Sequence, residues 1–147
     1  MEKLLFELSD IIRKEYKKIN REVEAIQKLS LSRSYKCMAN CFKSDSKFDD
    51  CHICAKLCKL SIQEIHDKFI LKLDESQEYA GECFENCLNK QGKSSVKKDL
   101  NCLEECKDNS IKFMTQAKKA CLDKLSRIVW DDESKACDEI KIIFDFR

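Results

Sequence analysis

"YKCMANCFKSDSKFDDCHICAKLC", residues 35–58, holds five cysteines, and four of them form two Cys-x-x-x-Cys pairs. The stretch has neither glycine nor proline, so helix is permitted on both sides of the polar run "KSDSK". A second instance, "CFENCLNKQGKSSVKKDLNCLEEC", residues 83–106, repeats the spacing. Residues four apart lie on one helical face, about 6 Å apart along the axis. Two antiparallel helices that each carry such a pair set outer cysteine against outer and inner against inner. Equal spacing then allows both bridges at once, within the usual disulfide Cα separation of about 4.4–6.8 Å. The spacing predicts Cys37–Cys58 and Cys41–Cys54 in a first hairpin, and Cys83–Cys106 and Cys87–Cys102 in a second. The inner loops, 42–53 and 88–101, suit a helix end, a turn and a new helix start.

The flanking sequence supplies the helices. Apolar residues recur as Leu4, Leu8, Ile11 or Ile12, Tyr16, Ile19, Val23 and Ile26, the three- and four-residue steps of an amphipathic helix. This seam weakens across "LSLSRS", residues 29–34, where a bend is expected, and resumes at Cys37 and Cys41. Asp45 or Ser46 is the expected cap of the next helix, with Asp49 and Asp50 in its first turn. That helix is predicted over about 47–90, with Cys54, Cys58, Ile62, Ile65, Phe69, Leu73, Ser76, Ala80, Cys83 and Cys87 inward. Gly92 and the Ser94-Ser95 pair then read as a helix stop and a new cap. A third helix places Leu100, Cys102, Cys106, Phe113, Ala117, Cys121, Leu125 and Ile128 on its inner face. Beyond Trp130 an acidic patch precedes "EIKIIFDFR", whose Ile142, Phe144 and Phe146 alternate; strand, helix end and docking segment all fit.

Because the motifs share the middle helix, its geometry fixes the fold. Cys54 and Cys83 are 29 residues apart (83 − 54), about eight turns, so both staples leave nearly the same face. Antiparallel pairing brings position 12 level with 83 and position 131 level with 58. The fold class is all-α: an elongated up-down-up three-helix bundle of two stapled hairpins sharing the middle helix. Residues 1–129 form this domain and 130–147 a C-terminal tail. Closing a loop of about 15 residues removes roughly 3 kcal/mol of unfolded-state entropy, and a nested second bridge removes less. With narrow seams, the staples are expected to decide folding.

Composition narrows function. The 147 residues suffice for one domain with a modest core, and the absence of proline and presence of only Gly81 and Gly92 favour long helices. Lysine and arginine number 28 against 27 acids, a balance without the field needed to hold nucleic acid or an anionic membrane. No apolar run approaches the roughly 20 residues of a transmembrane helix. Eleven cysteines imply an oxidising compartment, a metal site or redox chemistry. Yet "MEKLLFELSDIIRK" lacks the apolar core and cleavage site of a secretory signal, and Glu2, Glu7 and Asp10 break the acid-poor rule of a matrix presequence.

Other chemistries fit less of the pattern. "CHIC", with Cys51, His52 and Cys54, resembles half a zinc knuckle that Cys37 and Cys41 complete, but the downstream copy has no Cys-x-x-Cys. A thioredoxin-like redox pair needs a strand before Cys51, and no strand pattern is there. Cys51, Cys121 and Cys137 remain unpaired; Cys51 and Cys121 read as small buried hydrophobes, with a fifth bridge as the alternative. His52 and His66 read as ordinary helical residues, and no phosphate loop, His-Glu-x-x-His or paired-carboxylate signature appears. Asp131, Asp132 and Glu133 read as a solvated face. No enzyme activity, cofactor or metal is expected.

"CMANC", "CAKLC", "CFENC" and "CLEEC", in this order and spacing, carry a resemblance. Each hairpin is similar to that of the small Tim chaperones of the mitochondrial intermembrane space. The tandem, with its long first helix, resembles over about 1–129 the mitochondrial family named "family with sequence similarity 136". Cys51, Cys137 and the tail fall outside the pattern. The resemblance implies residence in the intermembrane space after oxidative trapping by the Mia-pathway oxidoreductase, a disulfide-permissive route without a cleaved presequence. Two functions follow as expectations: a non-catalytic assembly protein that docks on a larger intermembrane-space or inner-membrane complex, with Trp130, Ile142, Phe144 and Phe146 as candidate docking residues, or a small-Tim-like holdase for apolar clients. A thiol sensor or metal carrier using Cys51, Cys121 and Cys137 is the third.

Overall fold

The structure, a computed structural model, describes residues 2–89 and 96–128. These form three helices: α1 Glu2–Cys41, α2 Phe48–Asn89 and α3 Val96–Arg127. The order is up-down-up, with α2 shared by two stapled hairpins, as the cysteine spacing predicts. Among the described residues there is no strand, and no helix is long and apolar enough to cross a membrane. Gly92, Ser94, Ser95 and the whole segment 130–147, with Trp130, Cys137, Ile142, Phe144 and Phe146, lie outside the described residues.

Contacts divide the helices into two compact units. The first joins the start of α1, through Glu22, to Phe69–Lys119. Its core is Leu8, Ile12 and Ile19 from α1, Phe69, Leu73, Ala80 and Phe84 from α2, and Leu103, Met114 and Ala117 from α3. Tyr16 Oη donates to Asp74 (3.0 Å), Asn109 Nδ2 donates to Tyr79 Oη (3.2 Å), and the Lys118 ammonium bonds the Glu22 carboxylate. Tyr79 and Asn109 sum to 188, one short of the 189 set by Cys83 and Cys106, so the antiparallel register holds along this pair.

The second unit joins Val23–Lys68 to the end of α3 from Ala120. Val23, Cys37, Cys41, Cys51, Cys58, Ile62, Ile65, Cys121, Leu125 and Ile128 are buried in it. Gln27 Nε2 donates to His66 Nδ1 (2.5 Å); the two numbers sum to 93, close to the 95 of Cys37 and Cys58.

Three details differ from the sequence expectation, and serine explains most of them. "LSLSRS" does not bend: α1 runs through it unbroken, and Ser30 and Ser34 carry the seam in place of Ile26, which is 41% exposed. From Val23, a step of seven returns to nearly the same face whereas a step of three falls short of a full turn by about 60°. On α3 the inner face is Leu103, Cys106, Ser110 and Met114, while Leu100 and Phe113 are exposed. Phe113 instead lies edge-on to Tyr79, with centroids 5.0 Å apart. Finally, α2 begins at Phe48, so Lys47, whose carbonyl accepts the Cys51 amide (3.0 Å), precedes it rather than Asp45 or Ser46. Asp49 and Asp50 do occupy its first turn, favourably placed against the helix dipole.

Candidate interaction site at the first stapled tip

Four bridges close the hairpins: Cys37–Cys58 and Cys41–Cys54 with Cα atoms 5.9 and 5.8 Å apart, Cys83–Cys106 and Cys87–Cys102 with 5.7 and 5.9 Å. All lie within the separation that a disulfide spans without moving backbone. The bridges stack in each staple, with Cys41 and Cys58 sulfurs 3.8 Å apart and Cys87 and Cys106 sulfurs 3.5 Å apart. Three sulfurs of each staple, from Cys37, Cys41 and Cys58 and from Cys83, Cys87 and Cys106, fall within 4.8 Å of one another. Such a cluster has the donor chemistry for a thiophilic ion if reduced; here each sulfur is committed to a bridge.

A buried serine sits one turn inward of each outer bridge. Ser34 Oγ donates to the Cys58 carbonyl (2.8 Å) and Ser110 Oγ donates to the Ser76 carbonyl (2.8 Å). Ser76 Oγ turns back to the Lys72 carbonyl (2.8 Å). A small side chain that also crosslinks to a neighbouring backbone lets stapled helices approach closely and satisfies its own hydroxyl.

Outward of the first staple, the turn presents apolar surface. Phe42 N–H and Lys43 N–H close the end of α1 onto the Ala39 and Asn40 carbonyls (both 3.2 Å), and Ser44 Oγ donates to the Cys41 carbonyl (3.0 Å). This tight exit places Phe42 beside Phe48, the first residue of α2, with centroids 6.3 Å apart. His52 packs edge-on against both rings, at 5.3 Å from Phe42 and 4.5 Å from Phe48. The rings shield one another only in part: Phe42 is 47%, Phe48 69% and Ile53 56% exposed. The turn polarity of "KSDSK" hid this cluster; two phenylalanines flanking a short polar turn were the available signal.

The "CHIC" residues therefore part company. Cys54 joins the inner bridge and His52 joins the aromatic cluster. Cys51 is a buried free thiol, with Sγ 3.7 Å from the Ser46 carbonyl it faces and 3.8 Å from Ser44 Oγ. Cys121, also free and buried, has its thiol pushed up to about 11 by burial, Lys124 opposing only in part. His66 bonds Gln27 rather than any carboxylate or thiol. Flanking that bond, a groove of about 390 Å³ runs between α1 and α2, lined by Leu31, Ile62, Lys28, Lys59, Glu24 and Gln63 with Gln27 and His66.

No family model, no curated protein and no solved structure matches the chain.

Proposed function

We propose that the chain is a non-catalytic docking protein of the mitochondrial intermembrane space, related to the "family with sequence similarity 136" and imported by Mia-dependent oxidation. The observation that carries the docking role is the aromatic tip. Phe42 and Phe48 are exposed together, at a turn whose base is closed by two stacked disulfides. Exposed, clustered aromatic groups on a rigid support are the usual anchors of protein interfaces, because little conformational entropy is lost when they are buried. Four bridges among the described residues support an oxidising compartment. The resemblance to the twin Cys-x3-Cys proteins supports the specific one.

Affinity capture of the tagged, oxidised protein from mitochondria tests the role. A stoichiometric partner is expected with the native chain and is lost with Phe42→Ser/Phe48→Ser, while both carry the same bridges. Recovery of a free monomer without a stoichiometric partner refutes docking. Protease protection that is lost only on rupture of the outer membrane checks the compartment.

A holdase role has its own observation: apolar groups are exposed on the other unit too, Phe6 at 66% and Leu71 at 56%. It requires substoichiometric suppression of aggregation of unrelated apolar peptides, and insensitivity to the tip substitutions separates it from docking.

A further inference from the structure

The groove beside the Gln27–His66 bond and the aromatic tip lie on one face of the α1–α2 hairpin, within the second unit. On the α1 side, Leu31, Tyr35, Met38 and Phe42 follow at steps of four, three and four, which keeps them within about 60° of one another. Phe48, His52, Ala55 and Lys59 repeat those steps on α2. The two stripes meet at both ends: Leu31 and Lys59 line the groove together, and Phe42 packs beside Phe48 and His52. The surface between them therefore continues from groove to tip, about 22 Å along α1 from Gln27 to Phe42. Leu31, Tyr35, Phe42 and Phe48 are all exposed along it, and Met38 is half-buried against the staple cysteines.

Its charge has one dominant sign. At about 100° per residue, the charged residues within about 80° of Leu31 over 24–42, and of Phe48 over 48–66, are Lys28, Lys56 and Lys59 against Glu24. Among the described residues, none of these three lysines is in an ion pair. Ammonium groups without carboxylate partners, beside a continuous apolar stripe, complement an occupant that is apolar along its centre and acidic at its edges. A trough between two helices, with side chains at three- and four-residue steps, accepts a third helix by ridge-into-groove packing. The available length corresponds to about 15 helical residues, roughly four turns.

We propose that the α1–α2 face from Gln27 to Phe42 docks an acidic amphipathic helix of a partner protein. This rests on the docking role above, whose partner it describes. Apolar residues of that helix, at three- and four-residue steps, lie on Leu31, Tyr35, Met38 and Phe42, and its flanking Asp or Glu side chains meet Lys28, Lys56 and Lys59. The groove, about 390 Å³, takes the apolar side chains at the end remote from the tip.

Fluorescence anisotropy with the full oxidised chain tests this, using a labelled helical peptide of about 15 residues with a leucine stripe flanked by glutamate. A second peptide carries lysine for glutamate, and a third scrambles the leucines. The glutamate peptide is expected to bind with unit stoichiometry, and the other two about tenfold more weakly or worse. Leu31→Asp and, separately, Lys28→Glu/Lys59→Glu each weaken the glutamate peptide by about tenfold, and the lysine reversal transfers preference to the lysine peptide. Phe6→Ser on the other unit changes nothing. All these positions are exposed, and unaltered circular dichroism and bridges exclude unfolding as the cause. Failure of the glutamate peptide to bind, equal binding of the glutamate and lysine peptides, or indifference to Lys28→Glu/Lys59→Glu overturns the proposal. So does self-association of the chain that Leu31→Asp abolishes, which assigns the face to a second copy. The docking role is judged apart: a mitochondrial partner lost with Phe42→Ser/Phe48→Ser but retained by Leu31→Asp and by Lys28→Glu/Lys59→Glu keeps that role and overturns the acidic helix. Peptide binding as expected, with no mitochondrial partner captured, refutes the role and upholds the chemistry of the face.

Discussion

If the two bridges of a staple act by restricting the same stretch of unfolded chain, removing both costs more than the sum of removing each. The outer bridge, Cys37–Cys58, spans a separation of 21 and, alone, removes about 3.4 kcal/mol of unfolded-state entropy. The inner, Cys41–Cys54, spans 13 and alone removes about 3.0 kcal/mol. With the inner bridge formed, the outer closes a ring of only about 10 residues, 37–41 and 54–58, worth about 2.7 kcal/mol. Together they therefore contribute about 5.7 kcal/mol, and the inner adds about 2.3 kcal/mol once the outer is in place. Starting from the native chain, single removals sum to about 5.0 kcal/mol, and the double removal exceeds them by about 0.7 kcal/mol. The contact between Cys41 and Cys58 sulfurs acts in the opposite sense, but one atom pair is worth only about 0.1–0.2 kcal/mol and does not reverse the sign. Guanidinium unfolding of Cys37→Ala/Cys58→Ala, Cys41→Ala/Cys54→Ala and the fourfold variant measures this, in a background with Cys51, Cys121 and Cys137 replaced by alanine. A fourfold variant no less stable than the sum of the two losses refutes the nested-loop reasoning.

Other expectations follow from single side chains. Ser34→Ala and Ser110→Ala each lose an interhelical hydrogen bond and cost about 1 kcal/mol, whereas Ser61→Ala removes a buried hydroxyl with no partner among the described residues and is neutral or stabilising; denaturant midpoints distinguish them. Gly81 lies within α2 without positive φ, and a Cβ there meets nothing within 4 Å, so Gly81→Ala stabilises by about 1 kcal/mol in the same assay. Burial raises the Cys121 thiol from 9.0 to about 11, so the folded state favours its protonated form. That contribution is complete below pH 9 and is lost as pH rises through 11, and alkylation of Cys121 at pH 8 runs about 100-fold slower than that of an ordinary thiol.

The cysteine pairing was legible because helical rise and disulfide reach are both fixed lengths, so a repeated four-residue step admits few partners. The α2 seam was equally legible, since Ile62, Ile65, Phe69 and Leu73 are apolar and in phase. Ser30, Ser34 and Ser110 were not: a hydroxyl becomes a core group only when a neighbouring helix offers a carbonyl, and sequence does not display that partner. An apolar pattern alone therefore breaks the α1 seam at 29–34 and runs the α3 face through Phe113 instead of the buried Met114. The aromatic tip was missed for a related reason. Phe42 and Phe48 meet because backbone bonds tighten the end of α1, a local geometry that polar turn residues conceal.

Peptide mapping of the unreduced chain, alkylated before digestion, addresses the common root of fold and proposed role. Linked peptides are expected for Cys37–Cys58, Cys41–Cys54, Cys83–Cys106 and Cys87–Cys102, with Cys51 and Cys121 carrying the alkyl group. Crossed links such as Cys37–Cys54, or these eight residues recovered alkylated from the mature protein, would contradict this pairing.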